Sequence, residues 1–182
     1  MVTASEREQP ELPVVSSDPT ELELRGRFVD AMAANSTSVH VVSTANREAV
    51  AGVTVSACNS VCADPPTLLV CINTRSPVCR AVESNRVFAV NLLSAEQRHI
   101  ADTFAGRAVK GKPFDFACCD WRRGVLGVPL INGAVASLEC RVVAQQTLGT
   151  HRVFFGEVVA IERAQHTPLL YCRRDYGRFQ PL

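Results

Sequence analysis

The chain has 182 residues, enough for one domain with a core that needs neither disulfides nor metal. Its 19 Lys and Arg against 18 Asp and Glu exclude, on overall charge, a surface built for nucleic acid or for an anionic membrane. No apolar run reaches the length of a membrane span and the first residues are polar and acidic, so a cytoplasmic protein is expected, with its eight cysteines kept as thiols.

Residues 1–19 hold prolines and charged or hydroxyl side chains without periodicity, which predicts a mobile tail before a single domain over 20–182. Thr20 to Glu23 reads as a capping box ahead of Leu24, Phe28, Ala31 and Met32, whose spacing predicts an amphipathic helix ending near Asn35. Strands are predicted at Val39 to Thr44, Gly52 to Val61 and Thr67 to Ile72, the last as a strand buried on both faces. Asp64-Pro65-Pro66 turns the chain between the latter two. A short helix over Pro77 to Glu83 leads to a strand at Val87 to Leu93, and Ser94 to Gln97 is a second capping box whose helix stops at Gly106. Arg107 to Gly127 mixes Gly, Pro, adjacent cysteines and the single Trp, and reads as a long loop of the kind that covers a site. Strands resume at Ala134 to Thr147, His151 to Arg163 and Leu169 to Cys172. Short strands with helices interposed irregularly argue for a mainly β fold, an antiparallel β-barrel with appended helices, and against a doubly wound sheet.

The richest segment is Gly52 to Ser76. From Gly52 to Val61 the pattern has period two, with Thr54, Ser56, Cys58 and Ser60 on one face and Val53, Val55, Ala57 and Val61 on the other. Hydroxyl-bearing strand residues most often satisfy neighbouring backbone. Here they precede Asn73-Thr74-Arg75-Ser76-Pro77, a serine N-cap with proline at the first helical position, where free N–H groups with Arg75 and Arg80 suit a phosphate. Cys58 and Cys62 lack the second pair that a zinc site prefers, and Cys71 and Cys140 suit core packing. His40, His99 and His166 have no evident partners in the sequence.

This segment, with Val90-Asn91-Leu92-Leu93, Phe104-Ala105-Gly106, Gly149-Thr150-His151 and Tyr171-Cys-Arg-Arg-Asp-Tyr-Gly-Arg178, resembles the short-chain flavin reductases of two-component flavin monooxygenases. The resemblance runs from about Phe28 to Arg178. It implies an FMN-binding split β-barrel, usually a homodimer, that reduces FAD or FMN with NADH or NADPH and hands the reduced flavin to a partner oxygenase. Thr54, Val55, Ser56, Ala57 and Ser60 would then floor the flavin, with Asn73, Arg75, Ser76, Arg80 and Phe104 around its phosphate and ribityl chain. His151, Arg173, Arg174 and Tyr176 would face the pyridine nucleotide. No protein acid, base, nucleophile or metal is required, because the cofactors carry the hydride. The rival readings are a flavoprotein of the same barrel that retains its flavin and oxidises its own substrate, and a non-enzymatic flavin or haem carrier.

Overall fold

The computed structural model describes residues 18–181, so residues 1–17 of the tail expected over 1–19 lie outside the described residues, while Asp18 and Pro19 belong to the start of a helix. Helix α1 (Pro19–Ala33) begins upstream of the predicted capping box: Asp18 is the N-cap and accepts from the Thr20 N–H at 2.8 Å, with Pro19 opening the helix. An aspartate followed by proline is the stronger start signal, and it wins over Thr20. No residue of α1 is buried, and Leu24, Phe28 and Met32 are exposed, so the amphipathic stripe has no cover among the described residues.

The strands are β1 (Thr37–Ser38), β2 (His40–Ala45), β3 (Val50–Val55), β4 (Cys58–Ala63), β5 (Pro66–Asn73), β6 (Val87–Leu92), β7 (Trp121–Arg123), β8 (Pro129–Ile131), β9 (Ala136–Leu148), β10 (His151–Arg163), β11 (Leu169–Cys172) and β12 (Asp175–Arg178). Helices α2 (Pro77–Asn85) and α3 (Arg98–Phe104) complete the set. Seven strands form one antiparallel sheet in the order β3-β2-β6-β9-β10-β5-β4. Its two edges, β3 and β4, are consecutive in the chain and separated only by Ser56 and Ala57. A sheet whose edges share so short a link has to curl until they meet, which makes it a barrel. Across the closure the Cys71 N–H donates to the Ala57 carbonyl at 3.0 Å.

This corner corrects two expectations. Gly52 to Val61 is not one strand, because the chain leaves the β2 edge at Ser56 and joins β5 from Cys58. β5 is not buried on both faces either: Leu68, Val70 and Ile72 point into the barrel while Thr67, Leu69 and Cys71 are half-exposed, the alternation of a sheet with one face in the core. The barrel interior is filled by Val42, Val55, Val70, Ile72, Phe88 and Phe154, with Val78 and Val82 of α2 packed against them. A second cluster lies behind β2, where Val41 meets Leu93, Ile100 and Phe104 of the α3 layer. Asn91, fully buried, joins the layers: its Nδ2 donates to Ser43 Oγ at 3.0 Å, and its Oδ1 accepts from the Ile131 N–H and from Ser137 Oγ.

The capping box at Ser94 is as predicted, with Gln97 Oε1 accepting from the Ser94 N–H at 3.0 Å. The Arg107 to Gly127 loop contains β7, paired with β8. β1, β8 and β12 were too short to leave a periodic signal.

Candidate functional site

The site is built around the corner. Gly52 and Thr54 face α3, whereas Val55 faces the barrel interior. Thr54 Oγ1 donates to the Ala101 carbonyl at 2.7 Å, which fixes β3 to α3 and leaves only the hydroxyl lone pairs for a ligand. Thr54, Val55 and Ser56 line a cavity of about 170 Å³ together with Val39, Arg107, Tyr171 and Tyr176. That is below the ~300–1,000 Å³ of pockets that engulf a whole drug-sized ligand, and suits one ring. The Tyr171 and Tyr176 rings meet edge to face with centroids 5.3 Å apart.

Phe104 is among the residues expected at the flavin. Its side chain has no exposed surface and packs beneath the floor, 4.7 Å between centroids from Phe116 and against Gly52. A Cβ on Gly52 would stand 2.8 Å from Phe104 Cε1, so the glycine is what admits the ring. Ser60 is also separated from Thr54 and Ser56, since it lies on edge strand β4 opposite Leu68.

At the other end of β5, the structure does bring predicted residues together. Asn73 is directly paired with His151, the first residue of β10, placed there by the two-residue Gly149-Thr150 turn in which Gly149 takes φ 55°. His151 Nδ1 lies 2.9 Å from Thr150 Oγ1. Ser76 caps α2 as predicted, its Oγ accepting from the Val78 N–H at 3.3 Å. The free N–H groups expected here are, however, already used. Thr74 donates to Thr150, Arg75 to the Asn73 side chain, Ser76 to the Asn73 carbonyl and Cys79 to the Ser76 carbonyl. An anion at this helix start is left with the exposed Arg75 and Arg80 side chains, neither in a described ion pair, and with the helix dipole.

The C-terminal residues divide. Tyr176 reaches the cavity, but Arg173 and Arg174 form the β11–β12 turn with φ of 51° and 66°. Arg174 is ion-paired with Asp30 of α1 at 2.6 Å, and the Arg173 N–H donates to the Ala33 carbonyl, so their described partners are on α1. Sequence reasoning missed Asp102, Arg107 and Tyr171. The Tyr176 hydroxyl donates to Asp102 Oδ1 at 3.1 Å, Arg107 Nη2 donates to the same hydroxyl at 3.3 Å, and the Arg98 guanidinium lies 5.0 Å from the Tyr176 ring centroid. The one available signal was the i, i+4 spacing of Arg98 and Asp102 on a helix, which by itself is commonplace.

His40, Cys58 and Tyr176 are held neutral. Burial, outweighing the Ser38 and Val55 carbonyls, lowers His40 to about 4, and its Nδ1 has no hydrogen-bond partner among the described residues. Burial, then Cys71, pushes Cys58 up to about 11, which makes it a packing residue rather than a nucleophile. Burial, then the Asp102 hydrogen bond, raises Tyr176.

These residues fit a flavin. Val39 and the tyrosines supply apolar wall, and the Ser56 and Ala57 N–H groups are not among the donors that close the corner. Donors there suit an electron-rich ring whose charge grows on reduction. Comparison with known proteins agrees. The model of the flavin reductase like domain matches residues 32–180. The chain is 35% identical over 154 residues to FMN reductase (NADH) RutF of Stutzerimonas stutzeri, covering 84% of this chain and 87% of that protein. It is 36% identical over 154 residues to the 4-hydroxyphenylacetate 3-monooxygenase reductase component of Pseudomonas aeruginosa, covering 84% and 91%. Among solved structures, the Streptomyces globisporus NADH:FAD oxidoreductase SgcE6 in complex with NAD and FAD fragments superposes with a TM-score of 0.80 at 30% identity, covering 92% of this chain and 98% of that one. The corner at the barrel closure, with its small residues and ring-sized cavity, is thus the setting of a chain that belongs to the flavin reductase like family.

Proposed function

We propose that the chain is an NAD(P)H:flavin oxidoreductase that reduces FAD or FMN and releases the reduced flavin to a separate flavin-dependent oxygenase. The observation that carries this is the Ser56-Ala57 corner: it adjoins the ring-sized cavity on one side and, through Cys71, the Asn73 to Ser76 helix start on the other. Flavin supplies the hydride-accepting ring when bound. The chain's own part is to hold that ring on the corner, to hold its phosphate near Ser76, Arg75 and Arg80, and to exclude water while the nicotinamide stacks on it. His151, paired with Asn73, is read as a contact of the nucleotide with no proton-carrying role.

The uncovered stripe of α1 supports a homodimer, since Leu24, Phe28 and Met32 are exposed among the described residues. Sedimentation at micromolar concentration is expected to give twice the mass of one chain, and a fully active monomer would remove this part of the reading.

Steady-state NADH oxidation with added free flavin tests the activity. A reductase saturates with FAD or FMN as a substrate. A flavoprotein that retains its cofactor does not need the addition, and a carrier shows no turnover.

A further inference from the structure

The β9–β10 hairpin carries His151 at its tip, and the core does little to hold that tip. From Val143 to His151 every residue is exposed except Thr147, which is half-buried. A projection with so few buried contacts depends on its polar bonds to keep one position.

Two sets of bonds reach it. The Thr74 N–H donates to the Thr150 carbonyl at 3.0 Å, and Thr74 Oγ1 donates to the same oxygen at 3.2 Å, which ties the turn to the exit of β5. The second set converges on Glu83 of α2. Its Oε1 accepts from Gln145 Nε2 of β9 at 3.2 Å and is ion-paired with Arg152 Nη1 of β10, so one carboxylate spans both strands of the hairpin. Arg152 Nε donates in turn to Thr147 Oγ1 at 3.0 Å. The hydrogen bond from Arg152 holds the Glu83 carboxyl below the usual carboxylate range, which keeps it ionised at neutral pH.

Arg152 is next to His151, and successive side chains of a strand point to opposite faces. Arg152 lies opposite Ile72, which points into the barrel, whereas His151 lies opposite Asn73. Holding the Arg152 guanidinium on the barrel side therefore sets the backbone that presents His151 on the other face. Because α2 begins at Pro77, directly after Ser76, the clamp also fixes His151 relative to the helix start proposed to hold the flavin phosphate.

We propose that Glu83 and Arg152 are positioning residues for the reaction: they touch neither substrate, and their ion pair holds His151 where the nucleotide meets it. The inference rests on the reading of His151 as a nucleotide contact, and its test separates the two.

The test is Glu83→Gln, made in the parent and in the His151→Ala background, followed by steady-state kinetics and amide hydrogen exchange. Glutamine keeps the length of the side chain and removes its charge. In the parent the KM for NADH is expected to rise roughly three-fold, the scale of a half-exposed ion pair, with kcat and the flavin dissociation constant within about two-fold of their starting values. Exchange should quicken over residues 147–151 and stay unchanged in the barrel strands, which distinguishes displacement of the tip from general loss of structure. Arg152→Lys, which keeps the charge but not the fork, should cost less than Arg152→Gln. In the His151→Ala background Glu83→Gln should add nothing to KM, the signature of residues acting through one contact. A KM raised by His151→Ala but unchanged by Glu83→Gln, or raised equally by Glu83→Gln in both backgrounds, overturns the clamp and leaves the His151 reading standing. A wild-type KM in His151→Ala sinks that reading and the proposal with it.

Discussion

The Tyr176 hydroxyl donates to Asp102 Oδ1 at 3.1 Å, and this bond fixes a ring of the C-terminal hairpin against α3 at the mouth of the corner cavity. Tyr176 comes from β12 and Asp102 from α3, elements far apart in sequence. Arg107 bonds to both partners and Arg98 lies over the ring, so the tyrosine is held on its edge and on its face.

Replacing Asp102 with Asn keeps the shape and removes the charge from that bond. A hydrogen bond to a charged group is worth ~1.5–3 kcal/mol, of which a neutral acceptor retains about half. The KM for NADH is expected to rise about five-fold with kcat changing less, a split that follows from ~1 kcal/mol of lost binding. Tyr176→Phe should produce the same split, and the double variant should cost no more than either single one. Additive effects would show that the two residues act separately.

At the helix start, Ser76→Asp places a negative charge where Arg75 and Arg80 are proposed to hold phosphate. Aspartate is itself a good N-cap, so α2 should persist in the circular dichroism spectrum. The flavin dissociation constant is expected to rise at least ten-fold, equal to about 1.4 kcal/mol. An unchanged constant with α2 intact would move the phosphate elsewhere.

Much of this site could be read from the sequence where the signal was local. Ser76-Pro77, the Ser94 to Gln97 box and the Gly149-Thr150 turn each encode their structure within a few residues, and each was placed correctly. The hydroxyl row was located but misjoined: period two from Thr54 to Ser60 says nothing about a corner at Ser56-Ala57, because that corner exists to close a barrel through β5. The burial of the Phe104 ring was hidden for a related reason. It depends on Gly52, remote in sequence, having no Cβ. The part played by Asp102, Arg107 and Tyr171 was hidden because Asp102 and Arg107 pair locally at the end of α3 and the docking of the β11–β12 hairpin is what brings Tyr171 and Tyr176 to them.

The Gly52 and Phe104 contact makes its own prediction. Gly52→Ala puts a methyl 2.8 Å from a ring that has no free space around it. Overpacking of this kind costs ~1–3 kcal/mol, or a fall in Tm of roughly 2–10 °C for a domain this size. Phe104→Leu should recover part of the loss in the Gly52→Ala background by making room. A variant as stable as the parent would show that the ring can shift without cost.

His40 gives the fold an acid-sensitive point. Its folded pKa of about 4 lies below the unfolded value near 6.5, so the unfolded chain binds this proton first as pH falls. The stability that neutral His40 contributes is complete above pH ~6.5, declines through the interval and is gone by pH ~4, a loss of about 3 kcal/mol. Urea unfolding across that window should show a slope that His40→Leu flattens. An identical slope in the variant would assign the acid sensitivity to other groups.

The measurement that bears most directly on the central claim is anaerobic reduction of FMN or FAD, supplied in large molar excess over the chain, with NADH in excess over flavin. A reductase that binds flavin at an open corner and releases it should bleach the entire flavin absorbance over many turnovers. Bleaching that stops after one equivalent of flavin per chain, or does not begin, would contradict the account.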